Sequence, residues 1–233
     1  MTSVKTAHDA KPSELHPSEH YAYARGRFED LWRRCLPEAR DGAGEVRSAL
    51  LELYGQPMRY FHDLGHIVDC LGHLDEVREL VTDADALELA LWFHDAVYVP
   101  GSDDNERHSA QMFLAAAGSV AGPLAMRISR LIMATRHTGK VQPGDRAFIV
   151  DIDLAGFAIP WEDFMRRGDD LRREYQMQTD DQYYSGQVAF LTRLLRRPHF
   201  YCTAFFRERY GATARANLRR LLELRLQQGY SPV

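Results

Sequence analysis

The sequence predicts an all-α fold built as a single compact helical domain, and three observations predict it. Apolar residues recur mostly at helical spacing. No run alternates apolar and polar residues between hairpin turns, and there is no internal repeat. A chain of 233 residues with 45% hydrophobic residues has the size and composition of one globular domain with one core.

Residues 1–17 read as a polar, flexible tail preceding a helical domain over 18–233. The tail region carries Lys5, Lys11 and two prolines but no apolar run that could serve as a signal-peptide core. The first helix follows from the stripe Ala24, Phe28, Leu31, Trp32 and Leu36, with Ser18 as an N-cap and Pro37 past its end. A second, over 46–54, is stopped by Gly55 and Pro57. A third is expected to begin near Arg59 or Tyr60 and to run through Ile67, Cys70, Leu71 and Leu74 to Leu80.

Asp83 or Asp85 can cap a helix through Leu87, Leu89, Ala90, Leu91 and Phe93 that is apolar nearly all round, which places it at the domain centre. Residues 98–103 form a loop around Pro100 and Gly101, and 104–117 resume as an amphipathic helix broken by Gly118 and Gly122. Pro123 opens the next helix, to His137, and 139–144 are turn-rich. A short apolar segment over 147–157 contains Asp151 and Asp153, and Pro160 starts another helical stretch. Further helices are expected over 163–177, 182–196 and 213–228.

Charge and cysteine usage exclude several classes. The formal net charge is −4, with arginines and carboxylates interspersed, so there is no basic block to neutralise a nucleic-acid backbone. No membrane span is present. Cys35, Cys70 and Cys202 form no C-x-x-C pair and read as reduced, buried thiols of a cytoplasmic protein.

Three polar intrusions into apolar helices carry the chemistry. His94 and Asp95 end the apolar helix, where an unpaired buried charge would cost several kcal/mol, roughly, unless a cation receives it. His62 and His66 are spaced to share one face of a continuous helix. Asp151 and Asp153 interrupt the run 148–154 and are the natural source of a closing carboxylate, although either alone can be an N-cap. Imidazole with carboxylate suits manganese, iron, zinc or cobalt, and magnesium less.

The order of a histidine, a His-Asp doublet and a later aspartate resembles the HD superfamily of metal-dependent phosphohydrolases. The closer resemblance is to a bacterial family of predicted metal-dependent HD phosphohydrolases. It is carried by Arg59-Tyr60-Phe61-His62 with His66-Ile67, by residues 92–98, and by Asp104-Asn105-Glu106 with Ser109-Ala110. It extends to Thr135 with His137, Asp151-Ile152-Asp153-Leu154, Arg173-Glu174-Tyr175 and Ala214-Arg215-Ala216-Asn217-Leu218, so nearly everything after the first helix is covered.

Carried over, the resemblance implies an HD-type helical fold with His62, His94 and Asp95 as metal ligands. It favours Asp153 as the last, with Asp151 left open. One divalent ion is expected, with room for a second. Tyr98 stands where the nucleotidase branch of the superfamily has a glutamate, so a general base must come from elsewhere. Glu106 is the candidate, although these acids also suit a helix N-terminus. Asp95 can orient the attacking water. His66 and His137 can complete a second metal position or donate to a phosphate, or be satisfied core histidines. Arg59 can hold a phosphate or pair with a ligand carboxylate.

The expectation is therefore hydrolysis of a phosphate ester or anhydride of a small molecule, with a nucleotide suggested by analogy alone. Two alternatives stand beside it. One is di-iron oxygen chemistry on the same kind of helical site. The other is a non-catalytic, metal-stabilised binding protein, with the helix around Arg215, Arg219, Arg220 and Arg225 as an interface that could make a homo-oligomer.

Overall fold

A computed structural model of the chain describes residues 17–37, 39, 42–118, 122–138 and 141–232. Among them run ten α-helices, α1 (Pro17–Cys35), α2 (Ala43–Tyr54), α3 (Leu64–Val77), α4 (Ala84–Phe93), α5 (Asn105–Ala117), α6 (Gly122–Ile132), α7 (Asp145–Asp153), α8 (Trp161–Glu174), α9 (Asp180–Leu195) and α10 (Ala204–Gln227). No strand occurs among the described residues, so the all-α expectation holds there.

The nearly all-apolar helix is central, as its composition requires. The Asp83 carboxylate caps α4 by accepting from the Ala86 N–H at 3.1 Å, and every residue from Ala86 to Phe93 is buried. Around α4 pack α1, α3, α5, α6 and α7. Phe28, Trp32, Trp92, Phe93 and Phe113 form a connected aromatic group in that core, each ring contributing about 2–3 kcal/mol by burial. The one buried charge of α4, Glu88, is held by Arg27 at 2.7 and 3.0 Å and by Arg78. A second layer is formed by α10, which lies along the 3₁₀ turn Leu154–Ala158 and α9.

Several boundaries differ from expectation, and one of them matters for the site. The third helix starts at Leu64, not at Arg59 or Tyr60, because Asp63 turns its carboxylate onto the His66 N–H at 3.1 Å and caps the helix there. His62 therefore lies before the helix, and the i,i+4 relation to His66 does not exist. The segment expected as short and apolar is helical up to Asp153. α9 begins at Asp180 behind a capping box between Thr179 and Gln182, and α10 begins at Ala204 behind Thr203, well before residue 213. α1 begins at Pro17, the last residue of the expected tail, so residues 1–16 of that tail and the side chain of the expected Ser18 cap lie outside what is described.

Of the thiols, Cys70 is buried and Cys35 and Cys202 are half-buried; all three are free. No helix of the described residues is long and apolar enough to cross a membrane. The arginines of α10 turn largely to their own chain. Arg215 donates to the Leu195 carbonyl, Arg220 stacks over Trp161, and Arg225 is buried against Gln187 and Gln228.

Candidate metal centre

Three helix ends converge on one point. α3 contributes His66 from its first turn, the C-terminus of α4 contributes His94 and Asp95, and α7 ends on Asp153. One ligand atom from each of these side chains lies within 4.8 Å of the others. His94 Nε2 is 2.9 Å from Asp95 Oδ2 and 3.4 Å from Asp153 Oδ1. His66 Nε2 is 3.2 Å from Asp153 Oδ1, 3.3 Å from His94 Nε2 and 3.6 Å from Asp95 Oδ2. Bonds of about 2.0–2.2 Å from a central ion would set tetrahedral ligand atoms roughly 3.3–3.6 Å apart. The spacing is one that could hold a metal ion.

The surroundings orient these ligands. His94 Nδ1–H donates to the Leu91 carbonyl at 2.8 Å, which leaves Nε2 to face the other three ligands. Asp153 Oδ2 receives His137 Nε2 at 2.7 Å while Oδ1 faces the histidines. His137 is held there by a left-handed backbone, φ 54°, the one non-glycine residue with positive φ among those described. A conformation of that kind costs on the order of 1 kcal/mol and persists where the surroundings demand it. Cys70 packs its sulfur 3.9 Å from His66 Nδ1; burial, then the Asp153 charge, hold this thiol well above its ordinary range, so it stays neutral.

The charges are strongly coupled. Burial disfavours a protonated His94, but the Asp95 charge and the Asp153 hydrogen bond outweigh it and raise this imidazole well above its usual value. Burial also opposes ionised Asp95, yet His94 and His62 hold its carboxyl below the ordinary range. Asp153 is likewise pushed up by burial and brought well below the ordinary range by His137, His66 and His94. The two carboxylates thus favour the protonated form of His94.

The residues expected at the site fall into distinct places. His94, Asp95 and Asp153 are in the four-residue group, and His66 takes the place expected for His62. The His62 ring lies alongside, 6.0 Å from the His66 ring and 4.0 Å from that of Tyr98, measured between centroids. Its Nδ1 is 2.6 Å from Glu174 Oε2. Glu174, fully buried at its side chain, also accepts through Oε1 from the N–H groups of Tyr60, Phe61 and His62 at 2.8–2.9 Å.

Asp151 is not in the group. On a helix, residues two apart point about 200° apart, so Asp151 and Asp153 cannot share a target. Asp151 faces the start of α10, accepting at 2.7 Å from the Cys202 N–H, the Thr203 N–H and the Thr203 hydroxyl.

Arg59 is buried with its guanidinium engaged by the carbonyls of Asp95 at 2.6 Å, Ala96 at 2.7 Å and His62 at 3.2 Å. It ties the His62 segment to the His-Asp doublet, a different task from the phosphate or carboxylate contact expected of it. Asn105 and Ser109 perform a similar task. Asn105 makes two bonds to the Val99 backbone, and Ser109 two to that of Val97, fixing the chain that leaves the doublet. Glu106, in the first turn of α5, has its carboxyl raised by burial and by the Asp95 charge, partly offset by Arg136 and His137.

Glu174 is the residue that sequence reasoning missed. Its only sequence signal is membership of the Arg173-Glu174-Tyr175 block of the resemblance, because its partners lie more than a hundred residues upstream. Comparisons with family models, curated proteins and solved structures returned no match.

Proposed function

We propose that this chain is a metal-dependent phosphohydrolase of the HD type, acting on a phosphate ester or anhydride of a small molecule. The observation that carries the reading is the convergence of His66, His94, Asp95 and Asp153, in the chain order histidine, His-Asp doublet, aspartate. Two imidazoles with two carboxylates favour manganese, iron, zinc or cobalt over magnesium. A divalent ion in such a group supplies an activated water near neutral pH and polarises a phosphoryl oxygen.

The chain's own residues do the rest. His94 and His66 present Nε2 atoms, Asp153 is aimed by His137, and Asp95 is fixed at its backbone by Arg59. Reactions at phosphorus depend almost wholly on such positioning and on charge neutralisation. Nucleotides are the first substrate class to examine.

The test is metal content of the purified protein beside phosphate release from nucleotides and generic phosphate esters, with and without manganese, iron, zinc or cobalt. Metal-dependent release that disappears together with the metal in His94→Ala supports the reading. Release retained by a metal-free His94→Ala protein overturns it. Bound metal with no turnover, together with an absorption band from oxidised iron, transfers the site to oxygen chemistry.

A further inference from the structure

We propose that His62 is the general base of this site and Glu174 the residue that positions it, an assignment that rests on the phosphohydrolase reading. It answers what the ligand group leaves open, namely which group takes the proton of the attacking water.

Glu174 fixes the tautomer of His62. Glu174 is a carboxylate with no exposed side-chain surface, and four donors converge on it, three backbone N–H groups on Oε1 and the His62 ring on Oε2. A carboxylate accepts and does not donate, so the 2.6 Å contact places the ring proton of neutral His62 on Nδ1. Nε2 then carries the lone pair and points away from Glu174. No protein partner of Nε2 occurs among the described residues, and the side chain keeps 17% of its surface exposed. The ring is held on one side by Tyr98 and lies beside His66. A buried acid, an oriented imidazole and an open nitrogen next to the reaction centre form the arrangement that general bases require.

Competing groups lack one of these features. His137 uses Nε2 on Asp153 and its Nδ1 is buried without a partner, so neither nitrogen is open. Glu106 has its carboxyl near the Asp95 charge, but among the described residues that carboxyl bonds only to its own backbone, which leaves its direction unfixed by any neighbour.

In the step, the water oxygen forms the new bond to phosphorus and its proton passes to His62 Nε2. The bond from phosphorus to the leaving oxygen breaks, and the electron pair departs on that oxygen, which takes a proton from solvent. His62 later returns its proton to solvent, so water and phosphate ester give alcohol and phosphate.

The experiment begins with wild-type protein shown to release phosphate with its preferred metal, and absence of release there removes the hydrolase reading and this assignment together. With activity in hand, His62→Ala and His62→Gln are expected to bind metal at wild-type stoichiometry and to lose about 10²–10⁴-fold in kcat with little change in KM. Added imidazole restores part of the His62→Ala rate, which a structural role would not allow. Glu174→Gln is expected to lose roughly 10–100-fold in kcat with metal retained.

A readout independent of turnover is the side-chain nitrogen spectrum of metal-free protein at mildly alkaline pH. It should show His62 protonated at Nδ1 and bare at Nε2, with the Nδ1 signal altered in Glu174→Gln. Metal lost from His62→Ala makes His62 a ligand and overturns the assignment while leaving the hydrolase reading standing. Full kcat in His62→Ala, a larger loss in Glu106→Gln than in His62→Gln, or a proton on Nε2 overturns it as well.

Discussion

Replacing Asp151 and Asp153 one at a time separates two carboxylates that adjoin in sequence and diverge in space. Asp151 is wholly buried and accepts three bonds of 2.7 Å that anchor the start of α10. Each hydrogen bond to a charged acceptor contributes about 1.5–3 kcal/mol, and removal leaves donors without a partner. Against this stands the cost of burying the carboxylate, which raises its pKa despite the bonds from Cys202 and Thr203. The net loss expected for Asp151→Ala is about 3–4 kcal/mol, equivalent to a fall in Tm on the order of 10 °C for a domain of this size.

Urea denaturation followed by circular dichroism measures the first quantity, and elemental analysis of the purified variant measures its metal. Asp151→Ala should be destabilised by that amount and still bind metal at wild-type stoichiometry. Asp153→Asn, of unchanged shape, should keep its helices and lose the metal. The reverse pattern, metal lost from Asp151→Ala with its midpoint unchanged, would refute the assignment of the two faces of α7.

Three further outcomes are expected. Arg59→Lys forfeits the fork that spans the carbonyls of His62, Asp95 and Ala96, and should lower stability by about 2–3 kcal/mol in urea titrations and weaken metal binding together, so a change in only one of the two contradicts its role as a tie. His94, raised above its usual value against the pull of burial, keeps its proton to higher pH in the metal-free chain, and an entering ion must displace it. Metal binding therefore tightens as pH rises and weakens as pH falls, by up to about ten-fold per pH unit, which competition titrations with a chelator will measure. Removing the metal with a chelator should leave the helical circular dichroism and a cooperative melt intact, whereas collapse to an unfolded chain would make the ion a structural one.

The legible part of the site was the part governed by local burial. A histidine and an aspartate at the end of a helix that is apolar all round must be neutralised by something, and α4 is buried as that argument needs. The resemblance points to His62 as the first histidine, whereas the converging group holds His66. Asp63, three residues before His66 and directly before Leu64, Ile67 and Val68, is the cap signal that places the start of α3 correctly. The choice between Asp151 and Asp153 needed the position of Thr203, and Glu174 needed the position of His62. Both are contacts between chain segments far apart in sequence, on which periodicity carries no information. The start of α10 was missed for a related reason, since its cap Thr203 is itself fixed by Asp151.

The supports of the group bear on its chemistry. The His66 turn is started by Asp63, His94 is turned by the Leu91 carbonyl, Asp153 by His137, and the backbone of Asp95 by Arg59. These are bonds between groups of the chain itself, the kind of support that holds ligand side chains in place. Structural metals usually fold the site that holds them, whereas a catalytic ion needs a scaffold already in place and a position left for substrate. Asp95 and Asp153 favour a proton on His94, where its charge offsets the repulsion between the two carboxylates. Proton and metal are thus expected to compete for the same side chains, which is the origin of the pH dependence of metal binding set out above.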